Sequence, residues 1–589
     1  MVGRGSADLT LSRRDLLKLA GATAATGAVA AASGCATERA GAAADGPWDH
    51  DTDVVVVGTG AAGSIAALSA VHAGARALVI DKALLFGGTT AKSGGVYWVP
   101  NSSFRQGLGD ESREETLRWM ARHSYPQLFD AASPTLGLPK NEYELLAALY
   151  DEAPVAVDAL ASMGALISQP ADTLFGPMPD YYDTTTADVT PRDRRLWPRK
   201  PDGSFGLGDE MVRQLKEGLS KHGVPVLLGH RASRIVVADG VVIGLEATKG
   251  DGRVVRIRAR RGVVFASGGF THNRELMLHY QPGPIFGGCA VPTNEGDFVT
   301  LVAPLGAKLG HMGSAWRAEV VLEQALQYSS TPDDVFMPPG DSMLLANKRG
   351  RRVVNEKSNY NERTKVHFDW DEVDHEWTNI VLFMLYDQRS AELYGGRFPI
   401  PAPGTTAPYV LTGETWGEVA KKVDARLADL GPKVGGLRLD PAFTAELKST
   451  IAEFNGYARS GVDAQYRRGR SLYDRLWSTR VWSFQNPDTK WPAPSKRNPT
   501  MYPFAARGPF HAIMLGAGTL DTNGGPVINA KARVLDATGA PIPGLYGAGN
   551  CIASPTGAYY YAGGGTLGPA LAFGWIAGRE AATRTPRDA

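Results

Sequence analysis

Short apolar runs that end in closely spaced glycines recur at three distant places in the chain. They lie at residues 53–57, 262–266 and 544–546. Runs of this length predict strands buried on both faces of a parallel sheet, and the glycines let a backbone approach a bound group closely. Because the three places are far apart in sequence, we predict one discontinuous α/β domain. The residues between the second and third runs are then expected to fold as an insertion.

The pattern of apolar and polar positions also predicts helices and further strands. Residues 61–72 and 142–163 have the composition and spacing of helices, whereas residues 225–259 read as strands joined by glycine-containing turns. An apolar helix is predicted from Pro569 to about Ala582. Strands that alternate with helices in this way are typical of a doubly wound, Rossmann-like α/β fold.

The first glycine-rich turn has the spacing of a dinucleotide-binding motif. Gly58, Gly60 and Gly63 form a G-x-G-x-x-G pattern between a predicted strand and a predicted helix, and Asp81 follows the next apolar run. The glycines permit a tight turn and the close approach of a pyrophosphate, which the N-terminus of the helix stabilises. We expect Asp81 to bind the ribose hydroxyls of the dinucleotide.

Two further glycine-rich stretches indicate a larger ligand than a nicotinamide dinucleotide. Residues 87–95 form a second loop of small residues, which suggests a planar group across the ends of the strands. Residues 544–570 contain another dense set of glycines, with Tyr559, Tyr560 and Tyr561 at their centre. This second stretch fits either the meeting point of a flavin ring and a substrate or a glycine-rich surface loop that caps the last helix.

Composition restricts the source of the redox chemistry. The chain of 589 residues has a net charge of +1, so no strong field favours nucleic acid or an acidic membrane surface. Its three cysteines, Cys35, Cys289 and Cys551, have no metal-binding or haem-attachment spacing. We therefore expect an organic cofactor, no metal site and no nucleic-acid partner.

The first 45 residues are interpreted as a targeting segment. Ser12-Arg13-Arg14-Asp15-Leu16-Leu17-Lys18 is a twin-arginine pattern, and the apolar run from Leu19 to Ala32 is shorter than the roughly 20 residues of a membrane-spanning helix. We expect export to the extracytoplasmic side of the membrane. The segment around Cys35 also resembles a lipoprotein cleavage box, so either a lipid anchor at Cys35 or a plain cleaved signal is compatible with it.

Several motifs of the chain resemble those of a known family. VVVVGTGAAG, GGTTAKSGG, FASGG, GRRVVNEKSNY, PFHAIMLGAGTLDTNGG and GLYGAGN with YYYAGGGTLGPA resemble those of the fumarate reductase/succinate dehydrogenase flavoprotein superfamily. Within that superfamily, the chain is most similar to the 3-ketosteroid Δ1-dehydrogenases. The resemblance implies an FAD-binding domain in two segments, 51–275 and 506–589, with an inserted α+β catalytic domain at 276–505. Residues 1–45 precede it as the signal and linker.

The resemblance also implies which residues bind FAD. They follow the glycine-rich motifs and the acid after the second strand, and they are Gly58, Gly60, Ala61, Ala62, Gly63, Asp81, Lys82, Gly88, Thr89, Thr90, Ser93, Gly94, Gly95, Ser267, Gly268, Gly269, Gly549, Asn550, Thr566 and Leu567.

By the same resemblance, tyrosines carry the chemistry. Tyr360 follows the Val-Asn-Glu motif and would take the α-proton of a ketone, with Tyr181 of the Pro-Asp-Tyr-Tyr loop as its hydrogen-bonding partner. Tyr560 and the N–H of Gly564 would bind the ketone oxygen, as an oxyanion hole does. Tyr561 stands where the family has a proline, so the rigidity of this loop is open.

Two departures argue against a dicarboxylate substrate. Fumarate-type reductases carry an arginine at the position of Tyr360 and a histidine at the position of Asp521, and dicarboxylates need cationic partners. We expect FAD-dependent desaturation of a cyclic ketone, best a 3-oxosteroid. A smaller ring such as an oxocyclohexane carboxylate, an alkene reductase and a flavin-loaded electron carrier stay as alternatives. The electron acceptor is not predicted, and the basic residues at 192–200 are expected to lie on a solvated face.

Overall fold

The computed structural model describes residues 46–105, 112–172, 176, 178–181, 193–481, 483 and 490–587. The predicted targeting segment, with Arg13, Arg14 and Cys35, lies outside these residues, and so does Arg192 of the basic cluster. The chain after residue 44 forms one compact unit.

The strands of the described residues are short in most cases, and four of them reach nine residues or more. They are, in chain order, β1 (His50–Val57), β2 (Ala77–Asp81), β3 (Tyr97–Trp98), β4 (Ser168–Pro170), β5 (Arg195–Pro198), β6 (Val226–Leu228), β7 (His230–Ala238), β8 (Val241–Lys249), β9 (Val254–Phe265), β10 (Leu309–Gly310), β11 (Ala315–Val321), β12 (Met343–Ala346), β13 (Trp370–Asp371), β14 (Glu376–Trp377), β15 (Val381–Asp387), β16 (Val410–Gly413), β17 (Phe510–Thr522), β18 (Gly525–Pro526), β19 (Arg533–Leu535) and β20 (Pro541–Gly547).

The α-helices of the described residues alternate with these strands. They are α1 (Ala61–His72), α2 (Arg113–Ser124), α3 (Lys140–Ser162), α4 (Gly208–Lys221), α5 (Arg274–Tyr280), α6 (Asp297–Val302), α7 (Leu322–Gln327), α8 (Tyr360–Arg363), α9 (Gln388–Leu393), α10 (Trp416–Leu430), α11 (Phe443–Ser460), α12 (Leu472–Leu476) and α13 (Leu567–Thr583). A 3₁₀ helix at Gly88–Lys92 follows β2, and another at Gly549–Cys551 follows β20.

The larger sheet joins distant parts of the chain. Its strands β20, β9, β1, β2 and β6 lie side by side and run parallel. The three apolar runs of the sequence are therefore neighbours, and their glycine-rich ends meet at one edge. β7, β8 and β19 extend the sheet with antiparallel pairing. The predicted Rossmann-like α/β fold is confirmed.

Small residues bring the last helix close to the first. α13 packs on α1, and a Cβ atom added to Gly574 would lie 2.5 Å from the backbone oxygen of Ala62. A Cβ atom on Gly578 would lie 2.0 Å from the backbone oxygen of Ala66. Such contacts leave no room for a side chain, so the glycines of α13 allow the two helices to touch through their backbones.

A second sheet is built from the region of the predicted insertion. β17 pairs with β11, β15 and β16, and β15 also pairs with β12, all antiparallel. β17 belongs to the segment that the prediction assigned to the second part of the FAD-binding domain. Sheet pairing does not define domain boundaries, so the division at 275 and 505 stays a prediction. No helix among the described residues has the length and apolar character needed to cross a membrane.

Candidate active site

The glycine-rich turns meet at the carboxyl edge of the larger sheet. The turn at Gly58–Gly63 follows β1, and the loop that contains Thr90 follows β2. Thr90 Oγ1 accepts a hydrogen bond from the Ala61 N–H at 3.1 Å, and Thr59 Oγ1 accepts one from the Gly87 N–H at 3.0 Å. These bonds tie the two predicted cofactor loops together.

Asp81 lies at the end of β2, as the motif predicts. Its carboxylate accepts hydrogen bonds from the N–H and the hydroxyl of Thr59, at 2.8 and 2.6 Å, and from the Ala83 N–H at 2.8 Å. The neighbouring Lys82 points elsewhere, because its ammonium group lies 2.8 Å from Glu295 and 3.0 Å from Asp297. A role for Lys82 in binding a cofactor stays a prediction.

A small pocket opens between the end of β20 and the start of α13. Gly549, Asn550 and Thr566, three of the predicted cofactor residues, line it together with Trp316 and Asn523. The side-chain oxygen of Asn523 is buried there without a hydrogen-bond partner among the described residues. The cavity therefore offers an unsatisfied polar atom to a bound group.

Asp521, which the family resemblance places at the position of the histidine of fumarate-type reductases, makes several buried hydrogen bonds. Its buried carboxylate accepts hydrogen bonds from the Gly269 N–H at 2.8 Å, from Asn294 at 2.7 Å and from Asn550 at 3.3 Å. Thr271 also donates to it, at 2.9 Å. Asp521 thus joins β17 to the loops after β9 and β20, and burial raises its pKa.

The predicted tyrosines form one buried cluster. The Tyr181 hydroxyl donates a hydrogen bond to the Tyr360 hydroxyl at 3.1 Å. The Tyr560 ring lies 5.4 Å from the Tyr360 ring and 6.0 Å from the Tyr181 ring, centroid to centroid. The structure therefore brings together three side chains that are up to 379 positions apart in the sequence.

Buried polar contacts fix Tyr360 in place. It begins α8, whose N-terminus is capped by the side chain of Asn359. In the same helix, Arg363 donates to Glu319 at 2.6 Å, to the Val335 oxygen at 2.7 Å and to the Ser358 oxygen at 2.8 Å. Because these groups are buried, α8 has little freedom to turn, and Tyr360 keeps one orientation.

The loop of Tyr560 is held in a conformation that requires glycine. Gly564 has a φ of +94°, and a Cβ atom there would lie 2.6 Å from backbone atoms of Tyr97 and Trp98. The Gly564 oxygen accepts the Trp98 N–H at 3.2 Å, whereas the Gly564 N–H has no acceptor among the described residues. The oxyanion-hole role of this N–H stays a prediction. Thr566 donates to the Tyr560 hydroxyl at 3.3 Å.

Burial sets the acidity of the cluster. It raises the pKa of Tyr181 and of Tyr360 well above the ordinary value of 10, and it also raises the pKa of Tyr560. All three phenols are therefore neutral near pH 7. Neutral hydroxyls can donate hydrogen bonds to a ketone oxygen, but a tyrosine can take a proton from carbon only as its tyrosinate.

The expectation of a solvated basic face is wrong for two arginines. Arg194 and Arg195 are 2% and 3% exposed. Arg194 pairs with Asp180 at 2.9 Å, and Arg195 binds both oxygens of Asp193, at 2.7 and 2.6 Å. The carboxylates of the same segment compensate the charges, so the arginines are buried rather than solvated.

The sequence profile of a family described as "FAD binding domain" matches residues 53–567. The chain belongs to this family. It is a flavoprotein oxidoreductase, and the cofactor prediction of FAD is confirmed. Among the described residues, no group of three or more His, Cys, Asp or Glu could hold a metal ion.

Named relatives of this flavoprotein act on cyclic ketones. The chain is 30% identical over 567 residues to a 4-oxocyclohexanecarboxylate 2-dehydrogenase of Sinomonas cyclohexanicum, covering 90% of this chain and 92% of the relative. It is also 30% identical over 592 residues to a 3-oxosteroid 1-dehydrogenase of Mycolicibacterium smegmatis, covering 90% and 97%. The family resemblance is confirmed.

A solved structure shares the fold. The crystal structure of 3-ketosteroid delta1-dehydrogenase from Sterolibacterium denitrificans, in complex with 1,4-androstadiene-3,17-dione, has a TM-score of 0.73 and 24% identity. The match covers 90% of this chain and 99% of that chain.

The turn residues fit FAD sterically. A Cβ atom on Gly63 would lie 2.0 Å from the Gly58 oxygen, so the turn tolerates no side chain there. A Cβ atom on Gly60 would meet nothing closer than 3.6 Å, which leaves space in front of the N-terminus of α1, where the N-cap residue Gly60 offers no side-chain hydrogen bond. A helix N-terminus that faces open space suits a pyrophosphate. Gly60, Ala61, Ala62 and Gly63 would hold it.

Sequence reasoning missed the aromatic surroundings of the cluster. Trp316 lies 5.3 Å from the Tyr560 ring, Phe336 lies 5.0 Å from the Tyr360 ring, and Tyr473 lies 5.0 Å from the Tyr181 ring, between centroids. These residues fall in segments that resemble the family weakly, so no motif marked them. Aromatic side chains are common in any core, and their type alone identifies no site.

Proposed function

We propose that this flavoprotein desaturates a cyclic ketone next to its carbonyl group, with a neutral 3-oxosteroid as the substrate class. The observation that carries the proposal is the buried hydrogen bond of 3.1 Å between the hydroxyls of Tyr181 and Tyr360, beside Tyr560. This arrangement supports the proposal because a proton acceptor and hydroxyl donors would then share one buried aromatic cluster. The two relatives named above, whose printed names include an oxosteroid and an oxocyclohexane ring, support it.

Tyr360 takes the α-proton of the ketone in this proposal. Its pKa is raised by burial, so a free tyrosinate would be scarce at neutral pH. The hydrogen bond that Tyr181 donates favours the tyrosinate form of Tyr360 over an isolated buried tyrosinate. After Tyr360 has lost its proton to solvent, this tyrosinate accepts the α-proton from carbon and becomes a neutral phenol again. Bound FAD supplies the hydride acceptor for the adjacent carbon.

Tyr560 and Gly564 hold the ketone oxygen. The Tyr560 hydroxyl and the Gly564 N–H are neutral donors on one loop, and the N–H lacks an acceptor among the described residues. Their hydrogen bonds strengthen as negative charge develops on the oxygen, which favours loss of the α-proton. The hydrogen bond from the Trp98 N–H to the Gly564 oxygen, at 3.2 Å, holds this part of the loop.

The charges beside the cluster favour a neutral substrate. Arg195 is paired with Asp193, and Arg363 is paired with Glu319. A substrate carboxylate would have to displace one of these buried carboxylates, which costs several kcal/mol of desolvation and lost pairing. A 3-oxosteroid has no such charge. An oxocyclohexane carboxylate is the second candidate, because the relative named for that substrate and the relative named for an oxosteroid each share 30% sequence identity with this chain.

An anaerobic substrate panel tests the proposal. The purified holoenzyme is mixed with 4-androstene-3,17-dione, with 4-oxocyclohexanecarboxylate or with succinate, and the visible absorbance of the flavin is followed. We expect the steroid to bleach the flavin and succinate to leave it unchanged. Bleaching by the oxocyclohexane acid alone would overturn the steroid assignment, and no bleaching by either ketone would overturn the proposed reaction.

The twin-arginine pattern supports a further part of the proposal, namely export of the folded flavoprotein to the extracytoplasmic side of the membrane. A double replacement of Arg13 and Arg14 by lysine should leave the protein in the cytoplasmic fraction. Mass spectrometry of the exported protein distinguishes an acylated Cys35 from an unmodified chain. Export of the double variant at the wild-type level would refute this part.

A further inference from the structure

Tyr561 does not face the proposed substrate site. Its side chain is 1% exposed, and its ring packs between Trp98 and Trp119, at centroid distances of 5.0 and 5.1 Å. Its hydroxyl lies 2.5 Å from the Ser124 hydroxyl at the end of α2. We call Trp98, Trp119 and Tyr561 the aromatic clamp. The residue that stands in place of the family's proline is thus anchored away from the pocket.

Backbone contacts of the clamp reach both halves of the proposed site. The backbone carbonyl oxygen of Tyr561 accepts a hydrogen bond of 2.7 Å from the N–H of Tyr181. The Trp98 N–H donates to the oxygen of Gly564 at 3.2 Å. Tyr181 of the proton-accepting pair is therefore bonded to Tyr561, and the loop that carries the oxygen-binding groups is bonded to Trp98.

A buried ion pair contacts the two tryptophans of the aromatic clamp. Asp180, which precedes Tyr181, accepts hydrogen bonds from the indole N–H of Trp98 at 3.0 Å and from Arg194 at 2.9 Å. The Arg194 guanidinium lies 5.6 Å from the ring centre of Trp98 and 5.5 Å from that of Trp119. Buried ion pairs with several hydrogen bonds are rigid, because any displacement leaves a charge unpaired.

We propose that Tyr561 is a positioning residue that sets the distance between the proton-accepting pair, Tyr181 and Tyr360, and the oxygen-binding groups, Tyr560 and Gly564. It touches neither substrate nor cofactor in this assignment. Its backbone carbonyl oxygen holds the Tyr181 N–H. Its ring, packed against Trp98 and Trp119, fixes the loop that carries Tyr560. The catalytic part of the inference rests on the proposed function, whereas the geometric part does not.

Crystal structures of two variants test the geometric part. Tyr561→Leu removes the ring from the clamp. Tyr386→Leu is the matched control, because Tyr386 is a buried tyrosine of β15 in a different apolar cluster. We expect the separations of the Tyr560 ring from the Tyr360 and Tyr181 rings, 5.4 and 6.0 Å here, to change by about 1 Å or more in Tyr561→Leu and to stay the same in Tyr386→Leu. An unchanged cluster in Tyr561→Leu would overturn the inference.

Kinetics test the catalytic part with whichever ketone reduces the flavin. A misplacement of about 1 Å can cost roughly 100-fold in rate, so we expect a fall of that order in the maximal rate of flavin reduction in Tyr561→Leu, with FAD content near that of Tyr386→Leu. Tyr561→Phe keeps the ring and should restore the rate to within about 3-fold of wild type. Equal rates in the two leucine variants would show a structural role only and overturn the inference.

If Tyr561→Leu does not fold, Tyr561→Met takes its place with Tyr386→Met as the control, because the unbranched methionine adapts to an irregular space. A changed separation of Tyr560 from Tyr360 or Tyr181 is again required, and an unchanged cluster again overturns the inference. If no ketone reduces the wild-type flavin, the proposed reaction fails, but the crystal structures still decide whether Tyr561 positions the cluster.

Discussion

Replacement of Gly564 by alanine perturbs the oxygen-binding half of the site at a single backbone position. Gly564 has a φ of +94°, which L-residues with a side chain rarely adopt. The added Cβ atom would lie 2.6 Å from the Trp98 nitrogen and 2.6 Å from the Tyr97 Cα atom. Both neighbours are backbone atoms of the short strand β3, so neither can rotate away, and the loop itself has to move.

The expected magnitude has two separate parts. An L-residue in the left-handed region costs about 1–2 kcal/mol of stability. Displacement of the loop also moves the Gly564 N–H away from the ketone oxygen, and loss of one oxyanion donor typically lowers kcat by about 100- to 1000-fold. We therefore expect Gly564→Ala to remain folded with FAD bound at the assay temperature, while its kcat falls by about 100- to 1000-fold.

Gly539→Ala is the matched control in a steady-state and thermal-unfolding assay. Gly539 has a φ of +88° in the turn between β19 and β20, and a Cβ atom there would meet nothing within 4 Å. The control carries the same backbone cost without the clash and without contact to the site. Turnover of Gly564→Ala within about 3-fold of the Gly539→Ala value would refute the oxygen-binding role of this loop.

Two further predictions concern buried polar groups. Asp521→Asn turns an amide N–H₂ group toward donors such as the Gly269 N–H, so we expect the free energy of unfolding to fall by about 2–3 kcal/mol and FAD to be released faster. Thermal unfolding followed by flavin fluorescence measures both effects. FAD retention at the wild-type level would contradict this prediction. Burial lowers the pKa of His511 from 6.5 to about 4, because the folded protein favours the neutral imidazole. The free energy of unfolding is therefore highest above pH 6.5 and falls on acidification below it. Between about pH 7.5 and 5.5 the free energy of unfolding of the wild type should fall by about 1.4 kcal/mol more than that of His511→Asn. The same fall in both proteins would refute this prediction.

The FAD-binding part of the fold could be predicted because its signals are local. The turn at Gly58–Gly63 and the acid Asp81 lie within one βαβ unit, and the recurrence of glycine-rich strand ends was enough to predict a discontinuous parallel sheet. The identities of Tyr181, Tyr360 and Tyr560 came from a family resemblance. Their hydrogen bond and ring distances needed the structure, since no rule of spacing relates residues so far apart.

The surroundings of the tyrosines could not be predicted, because they arise from long-range packing. Trp98, Trp119 and Tyr561 meet from three separate segments, and nothing in their local sequence indicates the contact. The arginines at 194 and 195 were misjudged for a related reason. A run of basic residues usually stays solvated, but the carboxylates of Asp180 and Asp193 lie close enough to compensate them in the folded chain.

Single-turnover flavin reduction by Tyr360→Phe tests the central claim most directly. The variant keeps the ring that packs on Tyr560 and Phe336, so we expect it to fold and to retain FAD. Anaerobic mixing with a 3-oxo-4-ene steroid should bleach the wild-type flavin but reduce the variant at least about 100-fold more slowly, the usual loss when a general base is removed. Reduction of the variant at a rate near that of the wild type would contradict the assignment of Tyr360 as the proton acceptor.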